Sequence, residues 1–539
     1  MCGILAVIGK GKDPQLVKEL SKRMSHRGVD ESDLHIMDNG SILASECLSI
    51  IDLDSGRQPI QGSKNAWMVH NGEIYNHQEL REGILKHHTF RTKSDSEVIV
   101  HLYEEFGYDF CNLLDGDFAF VVINGDDYIA GRDPIGVKPL YYGLDERGRI
   151  YFSSEMKSIA DQCKSFSTFP PGHYYTAKTG FVKYYEPEYE EYENANQTLD
   201  LNLIRESLIE ATRKRLMSDV PIGVLLSGGL DSSLTSAIAS RLLAGSNEKL
   251  HSFSIGLDAD SPDNIAARKA AEFLGTQHHE IHFTIEEGVE ILDKLIYHIE
   301  TYDIISVRSG VPMYLLAKAI KEKGIKVILS GEGADEVFGG HLYFRNAPSS
   351  EEFQKETIER VQKLFTADIL RADKSTMAHS LELRVPFLDK DFLDIAIRIK
   401  TEEKQPKTYE AVEKYILRKA FDTPEDPYLP SEILWRQKEQ FSDGVGYNWV
   451  DQLIEYCSSQ VSDEQLAGAG GEFPYNSPTT KEAYLYRSIF HKHYPQVSAA
   501  QTVRKWIPKW QDNLDPSGRA NSAHLNADTE IAKQGVTVD

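Results

Sequence analysis

Leu225-Leu226-Ser227-Gly228-Gly229-Leu230-Asp231-Ser232-Ser233 is an apolar run that breaks into a Gly/Ser turn and resumes as the apolar stretch Leu234–Leu243. Ile222–Leu226 reads as a buried strand and Leu234–Leu243 as a helix, so the turn joins a strand end to a helix start. Gly228 and Gly229 let backbone N–H groups converge on an anion, and the helix start adds its dipole. Ser227, Ser232 and Ser233 can donate to phosphate oxygens, and Asp231 can hold a divalent cation. A Gly-Gly pair alone fits an ordinary tight turn. Ser-Gly-Gly-x-Asp-Ser at such a junction is much more specific for a phosphate. No GxxxxGK[ST] occurs anywhere in the chain, which disfavours a Walker-type loop.

Outward from this turn the pattern repeats. Leu250–Gly256 is a second strand, followed by helix Ile265–Leu274. Lys326–Leu329 is a third, followed by Ser330-Gly331-Glu332-Gly333-Ala334-Asp335-Glu336. Alternating strand and helix implies an α/β parallel sheet with its ligand at the carboxyl ends of the strands. Ser330 and Gly331 offer polar backbone to a nucleotide, and Asp335 with Asp231 forms the expected Mg2+ pair of an Mg–ATP cleft. Residues from about 370 to 510 read as mostly helical.

The chain before this region has a different rhythm. Gly3–Ile8, Ala66–His70, Phe118–Ile123, Asp127–Ala130 and Arg149–Ser153 are short β-rich runs, with helical patches at Pro14–Ser25 and Ser96–Glu105. That reads as an α+β sandwich. Between the two halves lie five glutamates in the eight residues 186–193 and the polar stretch Asn194–Asp200, a composition expected of a solvated linker. The domain reading is therefore 1–185, an acidic linker at 186–200, 201–512, and a polar tail at 513–539 expected to be disordered.

Composition narrows the function. The 539 residues are 41% hydrophobic and carry a net charge of −24, which argues against a nucleic-acid or anionic-membrane surface. No apolar run approaches the ~18 residues of a spanning helix. Five scattered cysteines without CxxC spacing suggest neither a disulfide framework nor a zinc site, and point to a reducing cytoplasm. Cys2 is the exception in interest. Removal of Met1 would put a free α-amine on the residue that carries the thiol, and an amine of pKa near ~8 can act as base for that nucleophile.

With Cys2 in front and the Ser227–Ser233 turn behind, the chain resembles the glutamine-hydrolysing asparagine synthetases. The Ser-Gly-Gly-x-Asp-Ser turn is similar to the pyrophosphate loop of ATP pyrophosphatases. In the first half the resemblance rests on His26-Arg27-Gly28, Asn71-Gly72-Glu73-Ile74-Tyr75-Asn76, Ser94-Asp95-Ser96-Glu97 and Gly131-Arg132-Asp133-Pro134-Ile135-Gly136. In the second it rests on Arg384-Val385-Pro386-Phe387-Leu388-Asp389, the run Trp435–Gly444, Thr480–Tyr484 and Asp515-Pro516-Ser517-Gly518. It implies an N-terminal-nucleophile sandwich (αββα) fused to an ATP pyrophosphatase domain with a helical C-terminal part. Cys2 would attack the glutamine amide, with Asn71 and Gly72 as oxyanion donors. Cys47, Leu48, Ser49, Ile50 and Ile51 would line the glutamine site, with Glu73 and Asp95 at the amino end. Leu225, Ile255, Ser330 and Gly331 would contact ATP. Glu332 would serve the intermediate, and Lys438 and Arg308 would offset phosphate charge. Glutamine, aspartate and ATP are the implied substrates; the resemblance also allows a homodimer.

Bland readings stand beside these. Asn71-Gly72 alone is a common hairpin turn, Lys438 lies in a charged run that suits a solvated face, and Arg308 could pair with Glu332. The chain also departs from the family pattern. Cys47 stands where an arginine is expected to clamp the glutamine carboxylate, a pair whose loss costs about 2–5 kcal/mol, unless Arg27 or Arg57 substitutes. Val29 replaces a proline, Ile305-Ser306 a Thr-Thr pair and His341 a tyrosine. Two alternatives follow: a synthetase mainly dependent on free ammonia, or a related ATP-dependent amide-forming ligase.

Overall fold

The computed structural model describes residues 1–245, 249–405 and 412–511; the polar tail and Asp515–Gly518 lie outside the described residues. The first half is built on two six-stranded sheets. One runs in the order Ser165–Thr168, Tyr141–Leu144, Ile150–Ser153, Cys2–Ile8, Ile42–Cys47, Glu31–Ile36. The other runs Gly180–Lys183, His173–Thr176, Asp127–Arg132, Gly116–Asn124, Trp67–Ile74, Ile60–Gln61. Side-chain alternation sets the layers. Ile4 and Ala6 of the first sheet pack on Val69, Ala119 and Val121 of the second. Leu5 and Val7 point the other way, to Val17 and Leu20 of helix Pro14–Lys22. Phe118, Phe120 and Val122 likewise face helix Glu97–Phe106. The result is helix, sheet, sheet, helix. Because both faces of the central strands are covered, they read as continuous apolar runs.

The second half carries a five-stranded parallel sheet in the order Gln277–His282, His251–Gly256, Ile222–Leu225, Val327–Leu329, Glu382–Arg384. The chain starts at Ile222–Leu225, builds outward to one side, then returns to build on the other. The strand order therefore reverses between Ile222–Leu225 and Val327–Leu329, and a crevice opens at the carboxyl ends there. Both edge strands escape the sequence reading. Gln-His-His-Glu-Ile-His is polar because it lies at an edge, and Glu382–Arg384 is only three residues long.

Along the acidic seam Glu186, Glu188, Glu191 and Glu193 are exposed, yet the segment is anchored at several points. Tyr189 is buried, Glu188 pairs with Arg398 at 2.8 Å and Glu190 with Lys183 at 2.6 Å. Gln197 forms a parallel bridge with Ile399. Cations opposite the glutamates and one buried ring hold the segment down.

Behind Cys2 the halves meet through buried charge. Arg27 bonds Glu155 at 3.0 Å and Asp373 at 2.8 Å, Lys157 reaches Glu300 at 3.0 Å, and Lys374 pairs with Glu300. Three cations face three carboxylates, contributed from both halves. Arg27→Leu leaves Glu155 and Asp373 buried with a partner removed, and should cost about 3–5 kcal/mol. Urea denaturation checks this; a loss near zero would contradict a structural role for the cluster.

Candidate active sites

The crevice at the strand reversal is lined by Leu225, Ser227, Gly229, Asp231 and Ser232 from the first turn, Ile255 from the neighbouring strand, and Ser330, Gly331, Glu332 and Asp335 from the second turn. Gly228 has φ +73°, and a Cβ there would stand 2.4 Å from Ala266, so only glycine lets the turn fold onto helix Pro262–Leu274. Helix Leu230–Leu242 begins with no side chain capping its first N–H groups, which leaves them for an anion. Ser227 and Ser232 bond each other at 3.0 Å. Ser233 is buried away from the lining with Gly228, so the two shape the turn rather than face the crevice.

Charge at the crevice is arranged in two groups. Lys414 Nζ lies 2.5 Å from Asp231 and 2.8 Å from Asp335, and Lys438 Nζ lies 2.6 Å from Asp335. Burial pushes the Asp231 carboxyl up. Burial acts the same way on Asp335, but Lys414 and Lys438 outweigh it and hold that carboxyl well below the usual range. Asp231 Oδ1 is buried with no hydrogen-bond partner, and a pair of hard carboxylate donors fits Mg2+. In the second group, Glu332 pairs with Arg371 at 2.9 Å. Arg308 is buried against Glu482 at 2.7 Å and is not among the residues that line the crevice. Its position on helix Ile304–Glu322 turns it toward helix Lys481–His493 instead.

The second site surrounds Cys2. Its strand pairs with Ile42–Cys47 so that Cys2 opposes Cys47, and their sulfurs stand 2.7 Å apart. Burial raises the Cys2 thiol, but the contact with Cys47 and the nearby α-ammonium outweigh it, and its pKa falls below the ordinary value. The Cys47 thiol is raised well above, first by that same contact and then by burial. Gln58 Nε2 approaches Cys2 Sγ at 3.4 Å.

Asn71 and Gly72 lie inside strand Trp67–Ile74, not in a hairpin turn. Gly72 has φ +141°, and a Cβ there would meet the Asp117 carbonyl at 2.0 Å, which is why glycine is required. Asn71 Oδ1 accepts from the Cys2 N–H at 3.2 Å. That bond fixes the amide so that Nδ2, buried and without a partner, is the free donor.

Glu73, Asp95 and Glu382 make the surroundings acidic. The Met1 ammonium bonds Leu48 O at 3.1 Å and lies 3.9 Å from Glu73 and 3.8 Å from Glu382. Burial and Glu382 push Glu73 well above the carboxylate range, and burial raises Asp95. Burial works against charge on Glu382 as well, but Arg384, Lys138 and the α-ammonium hold it down to about 2. Leu48 and Ile50 pack with Met1, Val327 and Met377, and Ile51 borders them. Ser49 N donates to Asp30 at 2.9 Å. Of the two cations considered in place of an arginine at 47, Arg27 pairs with Glu155 and Asp373 but keeps Nη2 buried without a partner, and Arg57 is exposed beside Glu31.

The glutamine amidotransferase domain family matches residues 1–187, and the asparagine synthase family matches 203–359 and 346–514. Asparagine synthetase [glutamine-hydrolyzing] 1 of Arabidopsis thaliana is 48% identical over 556 residues, covering 98% of this chain and 95% of that one. A probable asparagine synthetase [glutamine-hydrolyzing] of Dictyostelium discoideum is also 48% identical, covering 98% and 100%. The root enzyme of Pisum sativum is 49% identical over 96% and 94%. The chain belongs to the asparagine synthetase family.

Within this family member, several site residues were not evident from sequence. Lys414, Arg371, Gln58 and Glu382 each arrive from a distant segment. Glu382 and Arg384 come from the second half yet reach Met1 and Glu73 of the first. The motif beginning at Arg384 was the one available signal. Among the described residues no helix is long and apolar enough to cross a membrane.

Proposed function

We propose that the protein converts L-aspartate to L-asparagine with ATP, through β-aspartyl-AMP, releasing AMP and PPi and taking its nitrogen from glutamine hydrolysed at Cys2. The observation that carries this reading is the pairing, in one chain, of a lowered-pKa thiol beside an unpartnered buried amide donor with a phosphate-type crevice at a strand reversal. Residues 1–185 would form the glutaminase, 201–512 the synthetase, and 186–200 the strap between them. The five cysteines, all free and buried, fit the cytoplasm.

On loss of Met1 the Cys2 amine remains in reach of Asn71 Oδ1 and takes the thiol proton. The thiolate attacks the glutamine amide, and Asn71 Nδ2 with the Gly72 N–H stabilises the oxyanion. Glu73, Asp95 and Glu382 hold the substrate ammonium. In the crevice, the Ser227–Ser232 turn cradles phosphate oxygens and Lys438 and Lys414 offset their charge. Asp231 and Asp335 would hold Mg2+, which neutralises ATP phosphate charge when bound. Glu332, buried and raised by that burial, is positioned by Arg371 to take a proton from the attacking ammonia. The test is product analysis: aspartate and ATP should give AMP and PPi in equal amounts, whereas ADP and Pi would overturn the reading.

Cys47 itself brings no cation to the glutamine carboxylate. Cys47→Arg should therefore raise kcat/KM for glutamine at least ~30-fold, the lower end of an ion pair's worth, and leave ammonia-dependent synthesis unchanged. Equal changes with both nitrogen donors would contradict the assignment.

A further inference from the structure

The residue facing Cys2 is a second thiol, and the proposed reaction has no use for it. Cys2 and Cys47 are directly opposed in an antiparallel pair, with sulfurs 2.7 Å apart. Directly opposed residues place their Cα atoms ~4.5–5.5 Å apart, inside the ~4.4–6.8 Å range that disulfides span. No backbone rearrangement is needed to join them.

We propose that Cys47 is a resolving thiol for Cys2, making the pair a site of reversible oxidation by peroxides that silences glutamine hydrolysis while sparing the ammonia-dependent synthetase. The proposal rests on Cys2 being the glutaminase nucleophile. The chemistry balances in two steps. The Cys2 thiolate attacks one peroxide oxygen of ROOH, the O–O bond breaks, and RO⁻ leaves to take up a proton as ROH. Cys2 is then a sulfenic acid. The Cys47 sulfur attacks the Cys2 sulfur, the S–O bond breaks, and the hydroxyl leaves with the Cys47 proton as water. Two thiols lose two electrons together, and one peroxide gains them. A dithiol reductant reverses the change by thiol–disulfide exchange.

Three features support this assignment. The Cys2 thiol is shifted toward the thiolate that reacts with peroxide, whereas Cys47 is held as a thiol until Cys2 has been oxidised. A hydroperoxide is smaller than the glutamine carboxamide that the proposed function brings to Cys2, so the same approach serves the oxidant. The remaining cysteines, Cys111, Cys163 and Cys457, are all buried and pushed upward by that burial, Cys163 and Cys457 to about 12. They are poor competitors for the oxidant. The disulfide also consumes the sulfenic acid before further oxygen can add, so the nucleophile is recoverable.

The experiment uses the full-length reduced enzyme, treated with hydrogen peroxide and assayed with each nitrogen donor. Glutamine-dependent synthesis should fall at least ~10-fold, ammonia-dependent synthesis should persist, and dithiothreitol should restore the first. Peptide mapping should find Cys2 joined to Cys47 with loss of two hydrogens. In Cys47→Ser, excess peroxide should leave Cys2 as sulfinic acid that dithiothreitol does not rescue. Three results would overturn the proposal: sulfinic Cys2 without a cross-link in the unsubstituted enzyme, a cross-link elsewhere, or parallel loss of both activities. An untreated enzyme that fails to use glutamine would instead count against the proposed function, and the cross-link would still be readable.

Discussion

Cys2→Ala is expected to lower glutamine-dependent asparagine formation by at least ~10³-fold, the scale on which removal of a covalent nucleophile acts, with ammonia-dependent formation retained. The separation follows from where the residues sit. Cys2, Asn71 and Gly72 lie on facing sheets of the first half, and no part of them lines the crevice of the second. The substitution removes one sulfur from strand Cys2–Ile8, whose pairing with Ile42–Cys47 is through backbone, so the fold should survive. Steady-state assays with each nitrogen donor check it. Parallel loss with glutamine and ammonia would mean that Cys2 supports the structure of both sites and is not a nucleophile.

Asp231→Asn should have the complementary signature. It removes one of two carboxylates that share Lys414, leaving an excess of positive charge at the crevice and one donor fewer for Mg2+. A loss of ~10²–10³-fold in asparagine formation is expected from either nitrogen source, the size seen when a preorganised charge is deleted. Glutamate release from glutamine should continue, because Cys2, Asn71 and Gly72 are not among the residues that line this crevice. If Asp231→Asn instead silenced glutamate release, the crevice would not be the synthetase site.

The two variants bear on different parts of what the sequence makes legible. Local patterns carry far. The strand at Cys2–Ile8, the turn at Ser227–Ser233 and the helix after it rest on apolar runs and punctuation that act within a dozen residues, and each lies within a few residues of its expected place. Polar edge strands do not announce themselves: Gln277–His282 has no apolar alternation because only one neighbour covers it. The reading of Asn71-Gly72 as a hairpin turn fails for a different reason. Gly72 is required by the close passage of Asp117 on the next strand, a long-range fact that local turn statistics imitate.

Charged residues were the hardest to place. Arg308 is paired with Glu482, a contact its spacing does not announce, while Arg371 and Lys414 stand at the crevice carboxylates without any sequence signal. A salt bridge is decided by which elements meet, and neither spacing nor composition records that. The acidic seam makes the same point: four of its five glutamates are exposed, as their charge signals, while the anchoring of the segment by Tyr189 and two ion pairs leaves no mark in the composition. Cys47 is the most consequential case. In sequence it is a missing arginine; in the fold it is a thiol in contact with Cys2.

The central claim is that nitrogen released at Cys2 is used at the crevice between the turns at Ser227 and Ser330. Glutamine labelled with 15N in its amide, supplied with aspartate and Mg–ATP to the reduced enzyme, tests it most directly. The account predicts that label enters the asparagine amide, with one AMP and one PPi formed per asparagine. Unlabelled asparagine, or labelled ammonia released with no asparagine formed, would contradict it.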